Sequence, residues 1–136
     1  MTDNISSGYA VAVLDDLFIA SKIREAARSA GVDIDFVKGS EGIVEVLESK
    51  VPSLVIVDLN CKNVDTIGLI RKIKDSEYLK GVHVIGYHPH VEKDLKQQAY
   101  DAGYDTVLPR SWFSMHVREM FSDFSRGKYR AAETGQ

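Results

Sequence analysis

Residues Ser53 to Gly68 read SLVIVDLNCKNVDTIG. Leu54-Val55-Ile56-Val57 is an apolar run rich in β-branched side chains, with no polar face. That pattern predicts a strand buried on both sides, as in a parallel sheet. Asp58 closes the run. A carboxylate at the carboxyl end of a central strand stands where open α/β sheets bind their ligands. The polar loop Asn60-Cys61-Lys62-Asn63 follows, and a helical pattern starts at Asp65.

Working outward, Tyr9 to Leu14 (YAVAVL) is a second apolar run and ends in Asp15-Asp16. From Leu17 to Ala30, apolar Ala20, Ile23, Ala27 and Ala30 recur at helical spacing, and Gly31 stops the helix. Apolar and acidic residues alternate from Asp33 to Val37, which suits a strand at a sheet edge. Ser40 is an N-cap candidate with Glu41 in the first turn, and Ile43, Val46 and Leu47 form the inner face of the next helix. Pro52 leads into the central strand.

Beyond it, residues 65–75 form a helix with Ile67, Ile70 and Ile73 inward. Val82 to Tyr87 is a strand. Val91 to Ala102 is a helix with Leu95, Ala99 and Ala102 on one face. Thr106 to Leu108 is a short strand, and Trp112 to Phe124 is a final helix. Ala30-Gly31-Val32-Asp33 and Ala102-Gly103-Tyr104-Asp105 share one helix-to-strand loop chemistry. Residues 1–8 read as a flexible leader, 9–125 as one domain and 126–136 as a polar, flexible tail. Five β–α units in strict alternation predict an α/β fold, a doubly wound parallel sheet with right-handed crossovers.

Composition narrows the function classes. A net charge of −3, from 17 basic and 20 acidic residues, argues against nucleic acid or an anionic membrane as the main partner. The single cysteine, Cys61, allows no internal disulfide and suits a reducing cytoplasm. No apolar stretch approaches the ~20 residues of a membrane span, and the polar start MTDNISSG lacks a signal-peptide core.

Three strand ends carry charge: Asp15-Asp16 after the first strand, Asp58 after the third, and Pro109-Arg110 after the fifth. Carboxylates around an open face can hold Mg²⁺, which prefers oxygen ligands. A carboxylate beside such an ion can attack phosphorus and form an aspartyl phosphate. The ion and a nearby cation offset the charge on the transferring group.

Over about residues 9 to 125 the chain resembles the receiver domain of bacterial two-component response regulators. The residues that carry the resemblance are Asp15-Asp16, Asp58, and Asp65 seven places beyond it, in this β–α order. The resemblance implies a flavodoxin-like (βα)5 sheet of strand order 2-1-3-4-5. It implies Mg²⁺ held by Asp15, Asp16, Asp58 and the backbone carbonyl of Asn60. It makes Asp58 the phosphoacceptor from a histidine kinase or phosphotransfer protein, and it implies a cytoplasmic signalling module with no enzyme activity beyond self-phosphorylation at Asp58.

The chain also departs from that family. The hydroxyl position at the end of the fourth strand falls on His88, with Tyr87 and Pro89 on either side. The lysine position falls on Arg110, the proline after it on Ser111, and the aromatic switch on Val107. His88 is then a candidate donor to a phosphoryl oxygen and Arg110 its charge partner, although a planar guanidinium does not reproduce an ammonium. Cys61 beside the carboxylates reads as an inert thiol.

Trp112, Phe113, Met115 and Met120 read mostly as core, yet the last helix holds more large apolar groups than one face needs. Its surplus, Trp112 to Phe124, is the expected docking surface for a downstream protein or a second copy. The alternative reading is a pseudo-receiver, a phosphorylation-independent interaction module. A small-molecule-binding flavodoxin-like domain is disfavoured, since no Gly-rich phosphate loop follows the first strand. No output domain stands within the 136 residues, so the expected output lies in a partner chain or a longer protein.

Overall fold

The computed structural model describes residues 8–39, 41–89 and 93–129. Strands β1 (Tyr9–Val13), β2 (Asp33–Val37), β3 (Leu54–Asp58), β4 (His83–His88) and β5 (Thr106–Pro109) alternate with helices α1 (Leu17–Ala30), α2 (Ile43–Ser49), α3 (Thr66–Asp75), α4 (Lys93–Ala102) and α5 (Arg110–Ser125). All strand pairs are parallel, in the order β2-β1-β3-β4-β5. The expected strand order is therefore the one observed.

Strand periodicity sends alternate side chains to opposite layers. Ala10, Ala12, Leu54, Ile56, Ile85 and Tyr87 face α1 and α5, where they meet Ile19, Ile23, Phe113, Phe121 and Phe124. Val11, Val13, Val55, Val57, Val84 and Val107 face the other layer, with Leu47, Ile70, Ile73 and Ala99. Every residue of β3 is buried, as its unbroken apolar run requires. β2 lies at the edge, and its acidic residues face water. β5 forms the other edge, where the Val107 N–H donates to the Tyr100 hydroxyl at 3.1 Å.

Local chemistry sets the helix ends. Gly31 has φ 72°, a left-handed conformation without penalty for glycine, and closes α1 with N–H bonds to Ala27 and Arg28. Asp65 caps α3 through the Gly68 N–H at 2.9 Å. The seven-residue spacing from Asp58 thus ends on a helix cap.

Several sequence expectations shift. α2 starts at Ile43 with Gly42 as its N-cap residue; the Ser40 cap candidate lies outside the described residues. Val46 is exposed, because a helix this short buries one stripe, here Ile43 and Leu47. In α3 the inner face is Leu69, Ile70 and Ile73, with Ile67 half-buried. α4 is described from Lys93, so its expected start at Val91 falls outside.

Trp112 and Met115 are exposed rather than core; α5 buries Phe113, Val117, Met120, Phe121 and Phe124 instead. Residues 1–7 and 130–136, the outer parts of the expected leader and tail, also lie outside the description. Of the tail, Tyr129 stands with its ring 5.0 Å from that of His83.

Candidate functional site

The carboxyl edge of the sheet gathers the ends of β1, β3, β4 and β5. At its centre is Asp58, 8% exposed and the one buried charged residue among those described. Its Oδ1 accepts the Asn60 N–H at 2.9 Å, and its backbone carbonyl accepts the Cys61 N–H at 3.0 Å. The loop after β3 therefore curls back over the carboxylate. Burial pushes the Asp58 carboxyl up, and Asp16 and Asp15 push it further, against the Asn60 N–H and the His88 imidazole. The three aspartates thus lie within electrostatic reach of one another, as does His88.

The two residues of the acidic pair have different roles in the fold. Asp15 is exposed. Asp16 is the N-cap of α1, its Oδ1 accepting from Phe18 N–H at 3.0 Å and Ile19 N–H at 3.2 Å. Its Oδ2 accepts from Arg110, from Nη2 at 2.5 Å and from Nε at 3.2 Å. Burial alone would raise the Asp16 pKa, but the Arg110 guanidinium and the two N–H groups outweigh it and hold the carboxyl low.

Arg110, expected to pair with a group on Asp58, is thus joined to Asp16. It is placed there because Pro109, with φ −65°, turns the chain from β5 directly into α5 and leaves Arg110 as the first helical residue.

His88 ends β4 in register with Pro109, while Tyr87 is the residue in register with Asp58. Tyr87 is fully buried, with its ring stacked on Phe113 at 4.9 Å between centroids and 7° between planes. The sequence by itself does not separate Tyr87 from His88 at this strand end. The signal available was parity, because residues opposite each other in neighbouring parallel strands share a face.

Cys61 is buried, and burial first, then Asp15 and Asp58, pushes its thiol up; this is a protonated, unreactive sulfur. Val107 is buried towards α4 and cannot swing as an aromatic ring would.

The hard oxygen donors of Asp15, Asp58 and the Asn60 carbonyl suit Mg²⁺ in chemistry. Arg110 occupies the Asp16 oxygen left over from capping, and among the described residues no three carboxylate, imidazole or thiol groups converge into a ready-made cluster.

A parallel doubly wound sheet with a buried carboxylate and an acidic pair at the carboxyl ends of its central strands has its polar groups where open α/β sheets bind ligands. Residues 11–121 match the family model of the response regulator receiver domain, and the chain belongs to that family. No curated protein matches it in sequence.

Solved structures with the same fold include a response regulator from Hahella chejuensis, with TM-score 0.78 and 15% identity over 85% of this chain and 93% of that one. A response regulator receiver domain from Rhodospirillum rubrum has TM-score 0.75 and 20% identity over 90% and 97%. The receiver domain of a sensor histidine kinase from Pseudomonas aeruginosa PAO1, with a magnesium ion coordinated in its active site cleft, has TM-score 0.74 and 16% identity over 88% and 98%. No described helix is long and apolar enough to cross a membrane.

Proposed function

We propose that this receiver domain accepts a phosphoryl group on Asp58 from a histidine kinase or phosphotransfer protein of the cytoplasm and passes the signal on through a protein-docking surface. The observation that carries this reading is the Asp58 carboxylate itself. It is buried at the end of the central strand, and among the described residues its one hydrogen-bond donor is the Asn60 N–H.

In the transfer, a carboxylate oxygen of Asp58 forms a bond to phosphorus. The bond from phosphorus to the donor nitrogen breaks, its electron pair staying on the donor imidazole. The product is an acyl phosphate. Asp15, Asp58 and the Asn60 carbonyl would hold Mg²⁺, joined by Asp16 when Arg110 releases it, as the magnesium-bound relative encourages. Bound there, the ion supplies charge neutralisation to the transferring group. Freed from Asp16, Arg110 supplies a second positive charge, and His88 a polar edge at the end of β4.

The exposed Trp112 and Met115 on α5 give the output side a surface for a downstream protein or a second copy. Leu17 and Phe18, 75% and 61% exposed at the start of α1, add apolar surface beside the acidic pair, suited to the phosphodonor protein.

Intact mass after incubation with Mg²⁺ and acetyl phosphate tests the reading. A gain of one phosphoryl group in the wild type and none in Asp58→Asn supports it. No gain, with no Mg²⁺-dependent rise in Tm, overturns it in favour of a pseudo-receiver that binds partners without phosphorylation.

A further inference from the structure

After α5 the chain turns back against the sheet. Gly127, with φ 104°, and Tyr129, with φ 71°, both take left-handed backbone, and Tyr129 is the one residue other than glycine that does so among those described. The Gly127 N–H donates to the Phe124 carbonyl at 3.0 Å and the Lys128 N–H to the Asp123 carbonyl at 3.1 Å. Glycine takes that conformation freely, whereas a tyrosine is strained in it. Such strain persists only where surrounding contacts hold it, and it gathers at places that switch. The contact that holds Tyr129 is with β4. Its ring packs on the core layer shared with α1 and α5, 5.0 Å between centroids from the His83 ring and tilted by 49°. His83 opens β4 in register with Leu54, at the end of the sheet opposite to Asp58.

His83 is half-buried, and its Nε2 meets the Thr106 hydroxyl at 3.1 Å. Burial most of all disfavours its charged form. Asp105 favours that form, the Lys74 ammonium of α3 opposes it, and the balance holds the imidazole below its ordinary pKa. Asp105 is a weak counter-ion because its Oδ2 already accepts from Lys74 Nζ at 3.0 Å and from the Val84 N–H at 2.8 Å. Tyr129 is flanked by Lys128, whose Nζ lies 5.3 Å from its ring centroid and 3.7 Å from Asp123 of α5.

We propose that residues 126–129 form a proton-sensitive clasp: Tyr129 closes it over the neutral His83, and protonation of that imidazole opens it. Closed, the tyrosine ring withholds water from the histidine. Open, the imidazole is solvated and binds a proton more readily. The closed form has the lower pKa, so closure is fully favoured above the open-form value of about 6.5 and is lost as pH falls through the closed-form value. Each tenfold difference in proton affinity between the two forms makes opening tenfold easier once the pH lies below both. Opening frees the end of α5 from β4, remote from Asp58, and works with or without phosphorylation there.

Imidazole NMR titration and amide hydrogen exchange on the full 136-residue chain test the clasp. In the wild type His83 should titrate below about 6.5, and in Tyr129→Gly, which removes the ring and relieves the backbone, closer to it. Protection of the Gly127 and Lys128 amides, corrected for the intrinsic pH dependence of exchange, should fall roughly three- to tenfold in the wild type from pH 7.5 to 5.5. It should stay constant in His83→Gln, which keeps a polar partner for Thr106 and cannot charge.

Identical His83 titration in the wild type and Tyr129→Gly would overturn the clasp. Protection that rises in acid would also overturn it, since an imidazolium drawn onto a ring face closes rather than opens the contact. An equal loss of protection in His83→Gln would place the proton elsewhere and remove His83 from the switch. The wild-type titration and exchange use no variant, so they decide the sign even where His83→Gln folds poorly.

Discussion

The Arg110 guanidinium donates two hydrogen bonds to one oxygen of Asp16, joining the first residue of α5 to the N-cap of α1 across 94 positions of sequence. The other Asp16 oxygen holds the first turn of α1. One carboxylate therefore fixes two helix starts, and both of its oxygens are in use.

If Asp16 joins the proposed Mg²⁺ site, the ion must compete with Arg110 for it. Arg110→Gln should increase Mg²⁺ affinity, seen as a larger Mg²⁺-induced rise in Tm than in the wild type. Without Mg²⁺ the variant should lose only a little stability, about 1 kcal/mol or less, because both side chains are partly solvated (37% and 24% exposed). Equal Mg²⁺ response in the two proteins would show that Asp16 takes no part in binding the ion.

The capping role of Asp16 separates from its ion pair by choice of substitution. Asp16→Ala should cost about 1 kcal/mol for the cap alone, a fall in Tm of roughly 3–5 °C for a chain of this size. Asp16→Ser keeps a cap and should recover most of that. The folded carboxyl is held below its unfolded pKa. Its stabilisation is therefore present above the unfolded value and lost as pH falls through the folded one. The Tm difference between wild type and Asp16→Ala should narrow only in acid.

Asp58 has the opposite sign. Burial and the two neighbouring aspartates raise its folded pKa. Its contribution to stability is fully present below the unfolded pKa and is lost as pH rises through the folded pKa. Asp58→Asn keeps an oxygen for the Asn60 N–H and removes the charge. Thermal melts should show the variant more stable than the wild type at pH 7, with the gain disappearing towards pH ~4. A variant less stable than the wild type at pH 7 would contradict the sign.

Gly86 tests the loop that follows Asp58. A Cβ there would stand 3.0 Å from three carbons of the Leu59 side chain, the residue next to Asp58. Gly86→Ala should cost about 1 kcal/mol through overpacking and displace Leu59. Adding Leu59→Ala removes the collision, so the double variant should be more stable than the sum of the two single changes predicts. Additivity in denaturant melts would exclude the contact.

The fold was legible because it is written in local periods. The short, β-branched apolar runs at Tyr9, Leu54 and Val82 fit strands buried on two faces, and the glycines at 31 and 103 punctuate the helices between them. Asp58 and the acidic pair were legible for the same reason, since a strand's end is also its ligand-facing end.

What the sequence leaves undecided is pairing at a distance. It shows a cation at 110 but not that Asp16 holds it, and it shows a tyrosine beside a histidine without saying which of them shares a face with Asp58. Those choices depend on register between strands and on where Pro109 turns into α5. They are set by packing across the whole sheet, where Tyr87 is fixed against Phe113 and its hydroxyl has no hydrogen-bond partner among the described residues.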